Sequence, residues 1–287
     1  MPITETAENP EWDQILTSKR RIFDLQLNDI WRYRDLIWLF FRRDFVATYK
    51  QTILGPLWFI IQPLASTAIY TVIFGQIARL PTEGLPPFLF YMSGIIVWGL
   101  FSSCLTSCST VFTKNAGIFS KVYFPRLTVP ISSVMTVLLT FGLQLLVFIA
   151  FMVFFAFRGN DIQPGLGLLV VPVILLNICL LGIGFGCIIS SLTTRYRDLQ
   201  MAMGFGVQLW MYASCVFYSR ASVPEHLLWI LNLNPIVPLI ENFRSAFLGA
   251  GTFNIHEIGI SFLISLVVFL SGIIVFHQVE KDFADTI

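Results

Sequence analysis

The chain has 287 residues, of which 56% are hydrophobic and only 12% are charged, and its mean hydropathy is +0.76. Soluble domains carry about 25% charged residues, so this composition excludes an ordinary soluble domain and predicts an all-α integral membrane protein. The net charge is +1, and the first 52 residues hold eight basic and eight acidic side chains, which excludes a polybasic arm for nucleic acid.

Residues 1–52 are predicted to lie on the cytoplasmic side of the membrane. Their acidic start lacks the basic stretch and apolar core of a signal peptide, so none is expected. Residues 32–52 show a partial amphipathic pattern that predicts a helix lying in the membrane interface. One side of this helix carries Arg32, Asp35, Arg42, Arg43 and Lys50. The other side carries Tyr33, Leu36, Ile37, Phe40 and Ala47.

Six apolar runs follow, each long enough to cross a hydrocarbon core of about 30 Å. They are approximately Ile53–Ala78, Pro87–Phe112, Leu127–Phe157, Leu166–Thr193, Leu199–Ser219 and Ile258–Val279. With the N-terminus inside, the cytoplasmic segments hold 14 Lys and Arg residues and the outer segments hold four. This excess predicts that both termini are cytoplasmic. The predicted division is a cytoplasmic segment 1–52, a transmembrane domain 53–279 and a cytoplasmic tail 280–287.

The interval between the fifth and sixth runs, residues 220–257, is too polar to cross the membrane but contains two apolar, helix-like stretches. These stretches are Leu227–Leu233 and Ile236–Leu248, and Asn234-Pro235 separates them. The pattern favours a re-entrant hairpin that dips part-way in from the outer side, because such backbone is tolerated at membrane depth when protein covers it. A simple exposed outer loop is the alternative.

The chain lacks the residues that membrane machines use for energy or catalysis, and no catalytic residue is predicted. It contains no Gly-Lys pair, and therefore no P-loop for ATP. His256-Glu257 begins like a zinc-binding HExxH motif, but Ile260 stands in place of the second histidine, so no metal site is expected. The six runs hold no acidic or basic residue well inside, which argues against a carrier coupled to protons or sodium. The five cysteines are expected to be unpaired packing residues.

Several motifs, in the right order over about residues 30–287, carry a resemblance to a known family. They read YRDL from Tyr33, YKQTILGPLW from Tyr49, RYRD from Arg195 and EKDFAD from Glu280, together with the segment Asn115–Pro130 and the pair Asn234-Pro235. This ordered set resembles the membrane subunit of ABC-2 type transporters, specifically the Wzm-like polysaccharide exporters of the O-antigen and teichoic-acid group.

The resemblance implies a homodimer in the bacterial inner membrane, above two copies of a separate ATPase subunit that carry the ATP and Mg. The interfacial helix and the loop between the second and third spans would rest on that subunit. The residues assigned to this contact are Arg42, Arg43, Asp44, Asn115, Lys121, Tyr123, Phe124 and Arg126. The hairpin of about 223–249 would form the outer gate. The residues assigned to the gate are Pro224, Asn234, Pro235, Glu241 and Arg244, of which the last two could pair with each other.

The cargo implied by the resemblance is a lipid-linked polysaccharide that is moved outward. A sugar chain needs flat apolar faces for its C–H groups and polar partners for its hydroxyls, and aromatic side chains with polar atoms supply both. The residues predicted to line a channel are Trp58, Tyr70, Trp210, Tyr212, Phe217 and Tyr218. Packing between helices or anchoring at the membrane interface is the alternative for each of them.

Three other functions stay open. An ABC-2 permease for teichoic acid, capsule, lipid or drug cargo would share the cytoplasmic motifs and differ in its cavity. A membrane-embedded glycan-lipid transferase would need carboxylates or a metal set in a polar cytoplasmic loop, where only Asp198 and the juxtamembrane acids are present. A scaffold without a transport role would need no ATPase partner.

Overall fold

The computed structural model of the protein describes residues 31–50, 52–119, 124–194, 196 and 198–285. Within these ranges the chain is helical and contains no strand, which confirms the predicted all-α class. The helices are α1 (Arg34–Tyr49), α2 (Trp58–Tyr70), α3 (Pro87–Ser109), α4 (Val111–Phe119), α5 (Thr128–Phe157), α6 (Val171–Thr193), α7 (Leu199–Tyr212), α8 (Leu228–Leu233), α9 (Ile236–Leu248) and α10 (Ile255–Asp285). Shorter 3₁₀ turns are Gly55–Leu57, Leu166–Val170, Arg220–Ser222 and Glu225–Leu227, and a π-helix covers Thr71–Ile77.

Five segments of the described chain are long and apolar enough to cross a membrane, as expected for a multi-pass membrane protein. They are Gly55–Ile77, Pro87–Ser109, Thr128–Phe157, Leu166–Thr193 and Ile255–Val279. These five coincide with the first four and the last of the six predicted runs. The fifth run, Leu199–Ser219, differs because its helix α7 ends at Tyr212. At about 1.5 Å per residue this helix is about 21 Å long, short of a core of about 30 Å.

Helix α7 ends where a side chain from the hairpin and a change of backbone conformation interrupt it. Asn234 Nδ2 donates to Ala213 O and to Ser214 Oγ, both at 2.9 Å. Cys215 then adopts a φ of +54°, in the left-handed region, through which a right-handed helix cannot continue. Residues 213–219 are therefore non-helical, although most of their side chains are buried. The run contains no proline or charged residue that would mark this interruption in the sequence.

The parallel helices α3, α6 and α10 form the centre of the bundle, with close backbone approach. Gly182 and Gly186 of α6 lie against Cys104 and Cys108 of α3, and a Cβ at Gly182 would come within 2.6 Å of the Cys104 Cβ. On the other side of α6, Gly184 lies directly against the backbone of α10. Any side chain larger than hydrogen at these glycines would force the helices apart. All five cysteines are free and buried, in agreement with their predicted packing role.

Helix α1 rests on the end of the bundle at which α3, α6 and α10 finish. Its buried side chains are Ile37 and Phe40, which belong to the predicted apolar side. The Phe40 ring packs on Phe124, with ring centres 5.6 Å apart. Phe112 and Phe276 stack in the same cluster, with ring centres 4.5 Å apart. The apolar side of α1 therefore meets the protein, and the Phe40–Phe124 contact holds it against this aromatic cluster.

The first spanning segment contains Pro63, which lacks the N–H that would bond the carbonyl of Phe59. Gln144 of α5 supplies the missing donor, because its Nε2 lies 3.2 Å from Phe59 O. Thr67 Oγ1 donates to Pro63 O at 2.7 Å. The helix then widens into the π-helix Thr71–Ile77. Side chains from its own turns and from the third span thus hold this segment in an irregular shape.

The two short helices of the hairpin, α8 and α9, match the predicted stretches to within one residue. Helix α9 is buried along nearly its whole length among α3, α5 and α10, and its Phe243 ring centre lies 6.1 Å from that of Phe148. It ends at Gly249, whose φ of +74° closes the helix in the left-handed conformation. An exposed outer loop therefore does not describe α9, whereas α8 has exposed apolar side chains, including Trp229 and Leu233.

Candidate functional site

Part of the predicted ATPase-contact set forms one cluster where α1 meets α4. Arg43 pairs with Asp44 at 2.8 Å, and its guanidinium lies 4.8 Å from the centre of the Phe40 ring. Its Nη2 also donates to Asn115 Oδ1 at 3.4 Å. Asn115 is itself buried, and its Nδ2 donates to Val111 O at 3.1 Å. These contacts join α1 to the segment that follows the second span.

The other members of this predicted set lie in different surroundings. Arg42 is exposed on α1, and Arg126 is half-buried just before the third span. Phe124 is buried against α1, so it faces the bundle and holds α1 in place. Lys121 and Tyr123 fall outside the described residues.

Four of the six predicted channel aromatics collect between the first span and the stretch 213–219. Phe217 lies at their centre, with its ring 4.6 Å from that of Tyr70 and 5.6 Å from that of Tyr212. Tyr218 donates from its hydroxyl to Tyr212 O at 2.9 Å. Phe217 is only 2% exposed, whereas Tyr212 is 46% exposed. Within this chain the cluster therefore packs the first span against the stretch 213–219 and leaves the Tyr212 ring open.

The remaining two predicted aromatics lie apart from this cluster. Trp210 packs between the second and fourth spans, with its ring centre 5.0 Å from Phe101 and 5.2 Å from Phe185. Trp58 stands at the start of α2 and is 45% exposed. The six aromatics thus do not form one continuous surface in the single chain.

Asn234 joins the hairpin to helix α7 with every polar atom of its amide. Besides donating to Ala213 and Ser214, it accepts at Oδ1 from Trp210 Nε1 at 3.1 Å and from Ile236 N at 3.2 Å. Since the residue is 8% exposed, water has little access to these groups. One side chain therefore ends α7, orients the Trp210 indole and begins α9.

Arg244 is buried to 2% exposure in α9, where it contacts the second span and the stretch 213–219. Its Nε donates to Ser93 Oγ at 3.2 Å and its Nη2 donates to Cys215 O at 3.3 Å. The guanidinium also lies 3.7 Å from the centre of the Phe90 ring, a cation–π contact. Gly94 makes this arrangement possible, because a Cβ there would lie 2.8 Å from a backbone oxygen of the stretch 213–219.

The suggested pair between Glu241 and Arg244 is not among the ion pairs of the described residues. Glu241 Oε1 instead accepts from the backbone N–H of Arg220 at 2.8 Å. The Arg220 guanidinium donates from Nη1 to both oxygens of Glu257, at 3.0 and 3.1 Å, and from Nη2 to Asn232 Oδ1 at 2.6 Å. Arg220 thus ties the end of the fifth run to both the hairpin and the last span.

Further contacts fix the entrance and the tip of the hairpin. Pro224, with a φ of −57°, directly precedes the 3₁₀ turn Glu225–Leu227 at the entrance. At the tip, Pro235 O accepts from Ser261 Oγ of α10 at 2.7 Å. Ser219 donates to the Glu83 carboxylate, which lies in the loop between the first two spans. Among the described residues, no group of three or more His, Cys, Asp or Glu side chains could hold a metal ion.

Sequence reasoning missed the roles of Arg220, Glu257, Ser93 and Gln144. It counted Arg220 only among the outer basic residues. Its partner Glu257 is 37 residues away, Ser93 is 151 residues from Arg244, and Gln144 is 85 residues from Phe59. Contacts over such separations leave no periodic signal in a single sequence.

Comparison with known proteins gives a consistent result over most of the chain. Residues 35–248 match the family described as ABC-2 type transporter. The chain is 30% identical over 252 residues to the O-antigen export system permease protein RfbA of Klebsiella pneumoniae, covering 88% of this chain and 94% of that protein. It is 24% identical over 265 residues to the protein of the same name from Myxococcus xanthus, covering 91% and 98%.

A third relative carries a different name. The chain is 25% identical over 214 residues to the polysialic acid transport protein KpsM of Escherichia coli, covering 72% of this chain and 78% of that protein. The family match covers the surface helix α1, four of the five spanning segments and the hairpin up to the end of α9. The chain therefore belongs to the ABC-2 type transporter family.

Proposed function

We propose that this chain is the membrane-spanning permease subunit of an ATP-driven exporter that moves a lipid-linked polysaccharide, of the O-antigen kind, outward across the bacterial inner membrane. The observation that carries the proposal is the extent of the similarity to permeases named for O-antigen export, which reaches 94% and 98% of their length. The family membership and the lack of a Gly-Lys pair support ATP hydrolysis on a separate subunit that binds ATP and Mg.

We further propose that two copies of the chain form the transport path and that two ATPase subunits bind beneath them. The cluster of Arg43, Asp44 and Asn115 would receive the ATPase, together with Arg42, Arg126 and the loop that carries Lys121 and Tyr123. Support comes from the packing of α1 on the bundle. Because its Phe40 packs on Phe124, a displacement of α1 would reach the bundle.

The fifth apolar run would complete a sixth crossing, which places both termini on the cytoplasmic side. Helix α7 starts close to the end of α6, and the stretch 213–219 carries the chain on to Glu83, in the loop between the first two spans. The non-helical backbone of this stretch is covered by protein, which is the condition for irregular structure at membrane depth. The hairpin 223–249 would be re-entrant and form the outer gate, because α9 is buried and its tip contacts Ser261, inside the last span.

The proposal is tested by deleting the gene in its native host and following the polysaccharide. We expect the polymer to disappear from the cell surface and to accumulate inside in its lipid-linked form, and a plasmid copy of the gene should restore export. We also expect the purified chain to retain an ATPase subunit whose ATP hydrolysis is stimulated by the lipid-linked polymer. Unchanged surface polymer in the deletion strain would refute the proposal.

A second candidate is an ABC-2 permease with an anionic polysaccharide cargo. The similarity to the polysialic acid transport protein KpsM supports it, at lower coverage. Chemical analysis of the polymer that accumulates in the deletion strain distinguishes the two, because capsule-type acidic sugars and O-antigen repeat units differ in composition.

A further inference from the structure

A groove lined by polar side chains runs between the first, second and third spans, in the half of the bundle nearer α1. Its volume is about 440 Å³, within the range of about 300–1,000 Å³ typical of small-molecule sites. The polar lining comes from all three spans and includes Gln62, Ser66, Ser103, Ser107, Thr140 and Gln144. A lipid-facing or helix-packing surface of these spans would need none of these amides and hydroxyls.

Several of these polar groups are available to a ligand. Among the described residues, the side chains of Gln62, Ser66, Ser103 and Ser107 have no hydrogen-bond partner. Gln144 is held in place by its bond to Phe59 O, which leaves its Oε1 as an acceptor facing the groove near Gly99. The site thus combines one fixed amide with a row of uncommitted donors and acceptors.

The chemistry of the lining specifies the kind of ligand. None of the lining residues is charged, so a phosphate or a carboxylate would enter without a counter-charge. Phe59 and Phe141 add flat apolar faces beside the hydroxyls. Uncharged amides and hydroxyls next to aromatic faces suit a ring that bears hydroxyls on its edge and C–H groups on its face.

We propose that this groove binds uncharged sugar units of the exported polymer after they enter from the α1 side. The proposal rests on the proposed function and adds a location that the predicted aromatic lining does not include. It also gives the irregular first span a role, since Pro63 and Gln144, the residue that bonds the Phe59 carbonyl, both line the groove.

Cysteine protection tests occupancy, because all five native cysteines are buried and free. Ser103→Cys places a thiol in the groove. Ser271→Cys is a matched control: both serines are exposed and lie 16 residues after the first residue of their parallel helices, but Ser271 is outside the groove. Each variant is treated with N-ethylmaleimide in membrane vesicles from cells that do or do not synthesise the lipid-linked polymer.

We expect the Ser103→Cys thiol to react several-fold more slowly in vesicles that contain the polymer, and the Ser271→Cys thiol to react equally in both. Equal rates for Ser103→Cys in the two kinds of vesicle would overturn the proposal and assign the groove to lipid or to a second copy of the chain. No reaction in either kind would overturn it too, since a dry groove cannot admit a hydroxylated ligand.

A filling substitution tests whether the groove is needed for export. A Cβ at Gly99 meets only Gln144 Oε1, at an ordinary contact distance of 4.0 Å, so the backbone admits a side chain there, and Gly99→Leu places that side chain in the groove. Gly142→Leu is the matched control, because Gly142 has open space and lies outside the lining. We expect Gly99→Leu to lower surface polymer several-fold at normal protein levels, and Gly142→Leu to export like the wild type. Normal export by Gly99→Leu would refute only the proposal that the groove binds sugar units during export. Absence of export by the wild type would refute the proposed function itself.

Discussion

Replacing Asn234 by alanine should destabilise the protein more than any other single amide deletion in the hairpin. The side chain makes four hydrogen bonds, two as donor to Ala213 and Ser214 and two as acceptor from Trp210 and Ile236. All four links are lost together in the variant. Because the site is 8% exposed, water cannot replace most of them.

The magnitude follows from the polar groups that the substitution leaves without a partner. The Ala213 carbonyl, the Trp210 N–H and the Ile236 N–H make no other hydrogen bond among the described residues, and each buried orphan costs about 1–3 kcal/mol. The free energy of unfolding should therefore fall by about 3–9 kcal/mol. At about 2–4 °C per kcal/mol, the midpoint of thermal denaturation should fall by roughly 6–36 °C.

The assay is thermal denaturation of the purified protein in detergent, followed by the loss of monodisperse material on size exclusion. Asn232→Ala is the matched control: it removes an asparagine two residues away that is exposed and accepts one hydrogen bond, from Arg220. Its midpoint should change by no more than about 2–4 °C, the equivalent of a single exposed bond. Equal midpoints for the two variants would refute the argument that Asn234 joins α7 to the hairpin.

Three further substitutions test other contacts. Arg43→Glu should weaken co-purification of an ATPase without affecting membrane insertion, because it places two acidic side chains side by side on α1. Unchanged co-purification and export would remove Arg43 from the contact surface. Gln144→Leu should lower the thermal midpoint by roughly 2–12 °C, because it removes the hydrogen bond that ties the third span to the Phe59 carbonyl, and an unchanged midpoint would contradict a stabilising role for this bond. Gly182→Leu should abolish monodisperse protein through the clash with Cys104, whereas Gly142→Leu should not; recovery of both in equal yield would contradict the close packing of α3 and α6.

The elements that the sequence predicted well are those whose limits are encoded locally. The hairpin helices match because Asn234-Pro235 stops one and starts the other, and Gly249 closes the second. The five long spans match because each is a continuous apolar run bounded by polar residues or prolines. Local chemistry of this kind needs no knowledge of the partner helix.

The end of α7 could not be predicted, because a distant residue sets it. Leu199–Ser219 contains no proline or charged residue that would mark a helix end, and only the amide of Asn234, 21 residues beyond Ala213, shows where the helix stops. The partners of Arg244 could not be predicted either, because the sequence suggested a pair with Glu241, one helical turn away. Its observed partners are a serine on the second span and a carbonyl in the stretch 213–219, brought together by the burial of α9.

The distribution of burial indicates where this bundle can change shape. Of the 18 consecutive residues that are most apolar in each span, 72% are buried in the second span and only 6% in the first. Close contacts at Gly182 and Gly186 also hold the second span against the fourth. The first span also contains Pro63 and the π-helix Thr71–Ile77, so fewer regular backbone bonds resist its bending. Its Tyr70 contacts Phe217, in the same stretch whose backbone Arg244 holds. The first span is therefore the part of the bundle that bends most easily, and Tyr70 and Phe217 link it to the stretch that Arg244 holds, whereas the centre of the bundle is tightly packed.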